Sequence, residues 1–321
     1  MRLKPVFYRA ASFLWRSAPS HLRARLQNEV AFVAVHGVHR PEWADAIRPP
    51  SSSLMLRDLE KNLCAVSRSY SVISIDEGTD MLAGRIPLRP RCVVLTFDDS
   101  LKSHLELVAP LLVRLGIPAT FYLSTDAIDS RQPYWWLRVD YAVAKSRQAP
   151  EVATHIKRRL RDTPARERDA AVDALEESRG VRLQDNPGTF PFAEILTWND
   201  ARRLQQMGLT IGSHTVTHPN LTLLSEDELA YELRESKDQL EVALGVPCRH
   251  CCFPYGRYTT AVCDMAQTTG YVSAVTSEGP GWNVPTGSSW KLRRFAMPGE
   301  PYKLPYILSG LEASALRLRR S

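Results

Sequence analysis

Two short polar clusters in this 321-residue chain hold side chains that together could bind a divalent ion and move a proton. The first is Thr96-Phe97-Asp98-Asp99-Ser100; the second is Ser213-His214-Thr215-Val216-Thr217-His218. One carboxylate and two imidazoles can hold a metal with a position left open, and the second carboxylate is then free to act as a base. That combination suits metal-assisted hydrolysis. Singly the clusters say less, because an Asp-Asp pair after a strand is commonly a turn or a helix cap. A His-x-x-x-His pair shares one face with certainty only on a helix. Their joint occurrence, with Cys252-Phe253-Pro254-Tyr255-Gly256 further on, argues against coincidence.

Each cluster ends an apolar run. Cys92-Val93-Val94-Leu95-Thr96-Phe97 has the pattern of a buried strand, and Leu209-Thr210-Ile211-Gly212 that of another. In parallel α/β architectures the loops at the carboxyl ends of strands carry the chemistry, which places both clusters where ligands converge. A helical pattern over residues 101–115 is closed by Gly116 and followed by a strand over 119–123. Thr197 opens a helix that Gly208 ends, and Ser225-Glu226-Asp227-Glu228 is a capping box for a helix that runs to Leu244 and stops at Gly245. Residues 251–253 and 272–275 supply later strands. This alternation predicts an α/β fold built on a parallel barrel.

On these three clusters the chain resembles polysaccharide deacetylases of the NodB-homology type, carbohydrate esterase family 4. Thr96 to Ser100 is similar to the family's first motif, Ser213 to His218 to its H-(S/T)-x-x-H second motif, and Phe253-Pro254-Tyr255-Gly256 to the core of its third. The likeness runs from about residue 30 to about residue 297. It implies a distorted (β/α) barrel with a helical insert, in which Asp98 is the catalytic base and Asp99, His214 and His218 bind the metal. Zinc is the default for a set that mixes oxygen and nitrogen ligands, while cobalt, nickel or iron would fit the same set. The implied reaction is removal of N-acetyl groups from an amino sugar in a polysaccharide or glycan precursor. Pro254 and Tyr255 would then lie at the substrate, and a backbone N–H near Tyr255 would share the developing oxyanion.

Three departures from the family pattern matter. Ser100 stands where many members have glycine. Cys252 stands where many have an arginine, so the group that orients the base must come from elsewhere; Arg257 and Arg294 are the candidates, and both are also placed among the substrate contacts. No histidine follows His250, so the family's late Leu-x-His acid is missing. However, the run from Ala31 to Val38 is a strand ending in His36, and it resembles the start of a circularly permuted branch in which that histidine takes the acid role. His36 is therefore the candidate general acid, with a histidine satisfied by backbone at the barrel mouth as the alternative.

The bulk properties fit such an enzyme. A chain of this length with 44% apolar residues can bury a full core. It has no run of eighteen apolar residues and thus no evident transmembrane helix. Six cysteines, three of them crowded at 248, 251 and 252, suit free thiols in a reducing compartment better than a disulfide scaffold. The expected organisation is a basic amphipathic segment over 1–29, a barrel over 30–300 with a helical insert at about 131–192, and a basic tail over 301–321.

The first segment carries Arg2, Lys4, Arg9, Arg16, Arg23 and Arg25 before any acid, a charge equal to the +6 of the whole chain. Arg9 and Arg16 interrupt any signal-peptide core, so a cytoplasmic location is expected. A helix on an anionic membrane surface and a helix packed outside the barrel both remain open for this segment. Nucleic acid is a poor partner, because the remaining charge is mixed in sign and no recognition motif occurs. In the insert, Trp135 and Trp136 either stack on sugar faces or anchor the insert to the barrel. Other functional options are a deformylase or amidase on a lipid-linked or small nitrogenous substrate, and a catalytically silent carbohydrate-binding barrel.

Overall fold

The computed structural model describes residues 28–309 apart from positions 186, 280 and 286, so the expected N-terminal helix lies outside the described residues. Strands appear where apolar runs can be covered on both faces. They are β1 Val30–Val35, β2 Ser71–Ile73, β3 Cys92–Phe97, β4 Thr120–Leu123, β5 Thr210–Ser213, β6 His250–Cys252, β7 Ser273–Val275, β8 Trp282–Asn283 and β9 Phe295–Ala296. Every residue of β1, β3 and β4 is buried. The nine form one sheet in the order β8-β1-β3-β4-β5-β6-β7, with β9 also on β1 and β2 also on β3. All pairings are parallel except β8 on β1. Parallel pairing from β3 through β4 to β5 sets the carboxyl ends of β3 and β5, and hence both polar clusters, at one end of the sheet.

The seam between the two ends of the sheet is bridged by the segment before and within β9. Leu292 N–H donates to Ala274 O at 3.0 Å beside β7, while Phe295 and Ala296 pair with Val33 and Ala34 of β1. This curls the sheet toward a barrel and carries Arg294 into its interior.

Besides two short helices at Pro41–Ala46 and Thr125–Ser130, the helices are α1 Leu56–Ser67, α2 Ile75–Leu82, α3 Ala109–Leu115, α4 Trp135–Lys145, α5 Pro150–Leu160, α6 Ala165–Ser178, α7 Trp198–Gln206, α8 Glu226–Leu244, α9 Thr260–Thr268 and α10 Lys303–Leu308. The expected caps are present. Thr197 and Ser225 each complete a reciprocal capping box, and Gly116 and Gly245 close α3 and α8 in the left-handed conformation. Such caps satisfy terminal N–H and C=O groups that the helix itself leaves unpaired.

Two expectations are revised. The helix over 101–115 is not uniform, because His104–Val108 is π-helical and only then does α3 begin. The strand into His36 stops at Val35, and Val38–His39 pairs separately with Leu54–Met55, leaving His36 and Gly37 as the joint. Past residue 300, α10 buries Leu304, Pro305 and Leu308, and Leu304 N–H donates to Asn62 Oδ1 of α1 at 3.2 Å. All six cysteines are free, five of them buried. No helix among the described residues is long and apolar enough to cross a membrane.

Candidate metal centre

At the end of β3 the chain turns sharply. Asp98 N–H still donates to Val35 O at 3.0 Å, but Asp99 and Ser100 take φ values of 84° and 47°, a left-handed region that costs a non-glycine residue about 1–3 kcal/mol. Turning there aims the two neighbouring carboxylates in different directions. Ser100 offsets some of its cost by accepting the Ser124 N–H on its hydroxyl at 2.8 Å, a bond that glycine could not make.

The second cluster is held by a carboxylate that sequence analysis missed. Glu232 of α8 accepts the backbone N–H groups of Val216 and Thr217 at 2.8 and 3.0 Å and the Thr217 hydroxyl at 2.6 Å. It shapes a loop in which Thr215 and His218 are also left-handed. A signal existed. Glu232 sits in the buried stripe Leu229, Glu232, Leu233, Ser236 and Leu240 of α8, and a carboxylate in such a stripe requires partners.

His214 Nδ1–H donates to Cys252 O at 2.8 Å, which leaves Nε2 as the acceptor nitrogen facing Asp99. His214 Nε2 and His218 Nε2 each lie 3.7 Å from Asp99 Oδ1. That spacing is too long for a hydrogen bond, and it suits donors that share one ion through bonds of about 2.0–2.2 Å. All three side chains are buried. Burial pushes the His218 imidazole down to about 3, so it is neutral as a ligand must be. The donor set therefore fits a divalent ion.

Asp98 faces the other way, onto Arg294. Arg294 Nη1 and Nη2 donate to its two oxygens at 2.8 and 2.7 Å. The same guanidinium donates to Thr96 Oγ1 at 2.9 Å and, through Nε, to Thr276 O at 2.8 Å. Burial alone would raise the Asp98 pKa, but the charge and hydrogen bonds of Arg294 outweigh it and hold the carboxylate well below the usual range. Arg294 is 2% exposed, with no surface left for a substrate, so its placement among the substrate contacts is corrected. Arg257 is remote from Asp98: it is half-exposed, with Nη2 3.7 Å from Asp162 Oδ1. The small thiol of Cys252 leaves the room that the Arg294 guanidinium fills, its Sγ lying 3.1 Å from Nη2.

His36 approaches Asp98 from the open side, with Nε2 3.8 Å from Oδ2 and a side chain 38% exposed. Behind it, His104 bonds His36 O through Nε2 at 3.0 Å while its Nδ1 stays buried without a partner, and burial pushes this imidazole down to about 4.

These groups line a cavity of about 420 Å³. The barrel contributes His36, Asp98, Asp99, His214, His218 and Tyr255, and the insert helices α4 and α5 cover it from above. Tyr255 is left-handed at φ 57°, and a side chain at Gly256 would place a Cβ 2.3 Å from Ser277 N, so that turn requires glycine. Pro254 is buried and stays out of the cavity wall. Trp135 Nε1–H donates to Tyr255 OH at 2.9 Å, which ties the insert to the barrel. The Trp136 ring lies 4.7 Å from the His218 ring. Anchoring and lining are thus both served by this aromatic pair.

A family model described as polysaccharide deacetylase matches residues 85–274. The curated protein YxkH of Bacillus subtilis (strain 168) is similar at 31% identity over 83 residues, which is 26% of this chain and 30% of that relative, so the match spans under a third of YxkH. Among solved structures, the chain is similar to Streptococcus pyogenes deacetylase PplD in complex with acetate, with a TM-score of 0.61 at 19% identity, covering 87% of this chain and 96% of that one. IcaB from Ammonifex degensii gives a TM-score of 0.61 at 16% identity over 88% of this chain and 97% of that one. At these identities the likeness is one of fold.

Proposed function

The chain belongs to the polysaccharide deacetylase family, and we propose that it is a metal-dependent hydrolase removing N-acetyl groups from an amino sugar in a polysaccharide or glycan precursor. One observation carries this reading. Two adjacent carboxylates on the floor of a cavity are turned apart, Asp98 onto a buried guanidinium and Asp99 toward two neutral-capable imidazole nitrogens. A binding site for a neutral sugar has no need to bury such a pair, whereas hydrolysis needs one carboxylate as ligand and one as base.

Asp99, His214 and His218 would hold the divalent ion, zinc by default with cobalt, nickel or iron compatible, and the ion would supply Lewis acidity and a water of lowered pKa. The other roles belong to the chain. Asp98 takes the proton of the attacking water, and Arg294 holds its carboxylate in a single orientation while it does so. The backbone N–H of Tyr255 donates to the oxygen on which charge develops; its phenol is already engaged by Trp135. The C–N bond breaks only if the amine leaves protonated, and His36, exposed to the cavity beside Asp98, delivers that proton. Water and acetamide become acetate and a free amine.

Purified, metal-loaded protein should release acetate and free amine in equal amounts from N-acetylated oligosaccharides, and both should stop with a chelator. Glycan retained without acetate at any metal loading would make the protein a binding barrel, and release of formate would make it a deformylase.

The acid role has its own test. His36→Ala should lower turnover on an acetamide by on the order of 10²–10⁴-fold while metal content stays unchanged, since general acids contribute about that much. On an activated ester, whose leaving group needs no proton, the loss should be far smaller. Equal losses on both substrates would show His36 to be structural.

A further inference from the structure

The cavity wall contributed by the insert is not neutral. Thr154, Lys157, Arg158 and Arg161 line it from α5 and its C-cap, spaced i, i+3, i+4 and i+7 and hence on one helix face. Lys157 is already paired, its Nζ 2.7 and 2.8 Å from the two oxygens of Asp140. Arg158 and Arg161 are exposed, and among the described residues neither forms an ion pair with a carboxylate. Arg161 lies over the Tyr255 ring, 5.9 Å from its centroid, and that ring lies 4.8 Å from the His218 ring. One aromatic ring therefore separates this cation from a metal-binding side chain.

Basic residues in a last helical turn also complement the helix dipole, which accounts for Lys157, Arg158 and Arg159 as a group. It does not account for two guanidinium groups facing a cavity whose own carboxylates, Asp98 and Asp99, are committed to Arg294 and the imidazoles. Guanidinium groups with free donors on a partly enclosed wall recognise phosphate or carboxylate oxygens. Building on the deacetylase reading, we propose that the substrate is an anionic glycan, whose phosphate or carboxylate, on the reacting sugar or the next one, is bound by Arg158 and Arg161.

The experiment compares N-acetylglucosamine with N-acetylglucosamine 1-phosphate by calorimetry. In parallel, acetate release is followed from N-acetylated oligosaccharides of equal length that are neutral, phosphorylated or uronate-bearing. The phosphorylated and uronate arms tell which anion is preferred. Charged ligands should bind and react with roughly a three- to tenfold advantage, as partly exposed charge-assisted bonds allow, and high salt should erase it. The Arg158→Gln, Arg161→Gln double variant should lose that advantage. Arg159→Gln, a change outside the cavity wall on the same helix, should keep it. Acetate release with no preference for charge, or a preference untouched by the double variant, overturns the inference and leaves the deacetylase reading standing. Arginine-dependent binding of the 1-phosphate without acetate from any sugar would support the anion site and reject the deacetylase reading.

Discussion

Asp98→Asn should leave metal content intact and lower acetate release by on the order of 10²–10⁴-fold, because an amide cannot take the proton of the attacking water. Its neighbour should behave in the opposite order. Asp99→Asn, like His218→Ala, should lose the ion first, since each removes one of three donors, with both imidazole nitrogens 3.7 Å from the same carboxylate oxygen. Elemental analysis beside single-turnover assays separates the two outcomes. If Asp98→Asn loses the ion while Asp99→Asn keeps it, the roles are exchanged. Asp98→Asn also removes the negative partner of a buried guanidinium, so thermal unfolding should be recorded with the same sample to show that the loss of turnover is not a loss of fold.

Arg294→Met should be damaging in two ways. It leaves the Asp98 carboxylate buried and unpaired, and breaking a buried pair by removing one partner costs about 3–5 kcal/mol, enough to lower the unfolding midpoint clearly. It also frees Asp98 to rotate, so turnover should fall even in the fraction that remains folded. Arg294→Lys is the sharper probe. A lysine restores charge but cannot make the two parallel bonds of 2.8 and 2.7 Å or reach Thr96 and Thr276 at once, so it should recover more stability than turnover. Full turnover in Arg294→Lys would show that charge alone matters and that orientation of the base does not.

Much of this centre was legible in the chain before any coordinates. The run 92–97 is a strand with the boundaries its apolar pattern predicts, and the second strand is shifted by one residue, to Thr210–Ser213. The capping boxes at Thr197 and Ser225 and the stops at Gly116 and Gly245 are local devices, set by residues within four positions of one another. Convergence of Asp99, His214 and His218 follows from two strands that both run to the same end of a parallel sheet.

By itself, then, the sequence determined what near neighbours decide: the strands, the caps, and the residue types that could ligate a metal and carry a proton. The partners of those residues were settled only by the fold. Arg294 and Asp98 stand 196 positions apart and meet because the segment after β7 crosses the seam to β1. Arg257, much nearer in sequence to the third cluster, instead points outward to Asp162. Glu232 looks like an ordinary charge on a helix until α8 packs its buried stripe against the His-x-x-x-His loop. The cationic face of α5 acquires meaning only when the insert folds back over the cavity. Side-chain periodicity records which face of an element is covered, while the identity of the covering group depends on chain closure between distant segments, and no local pattern encodes that.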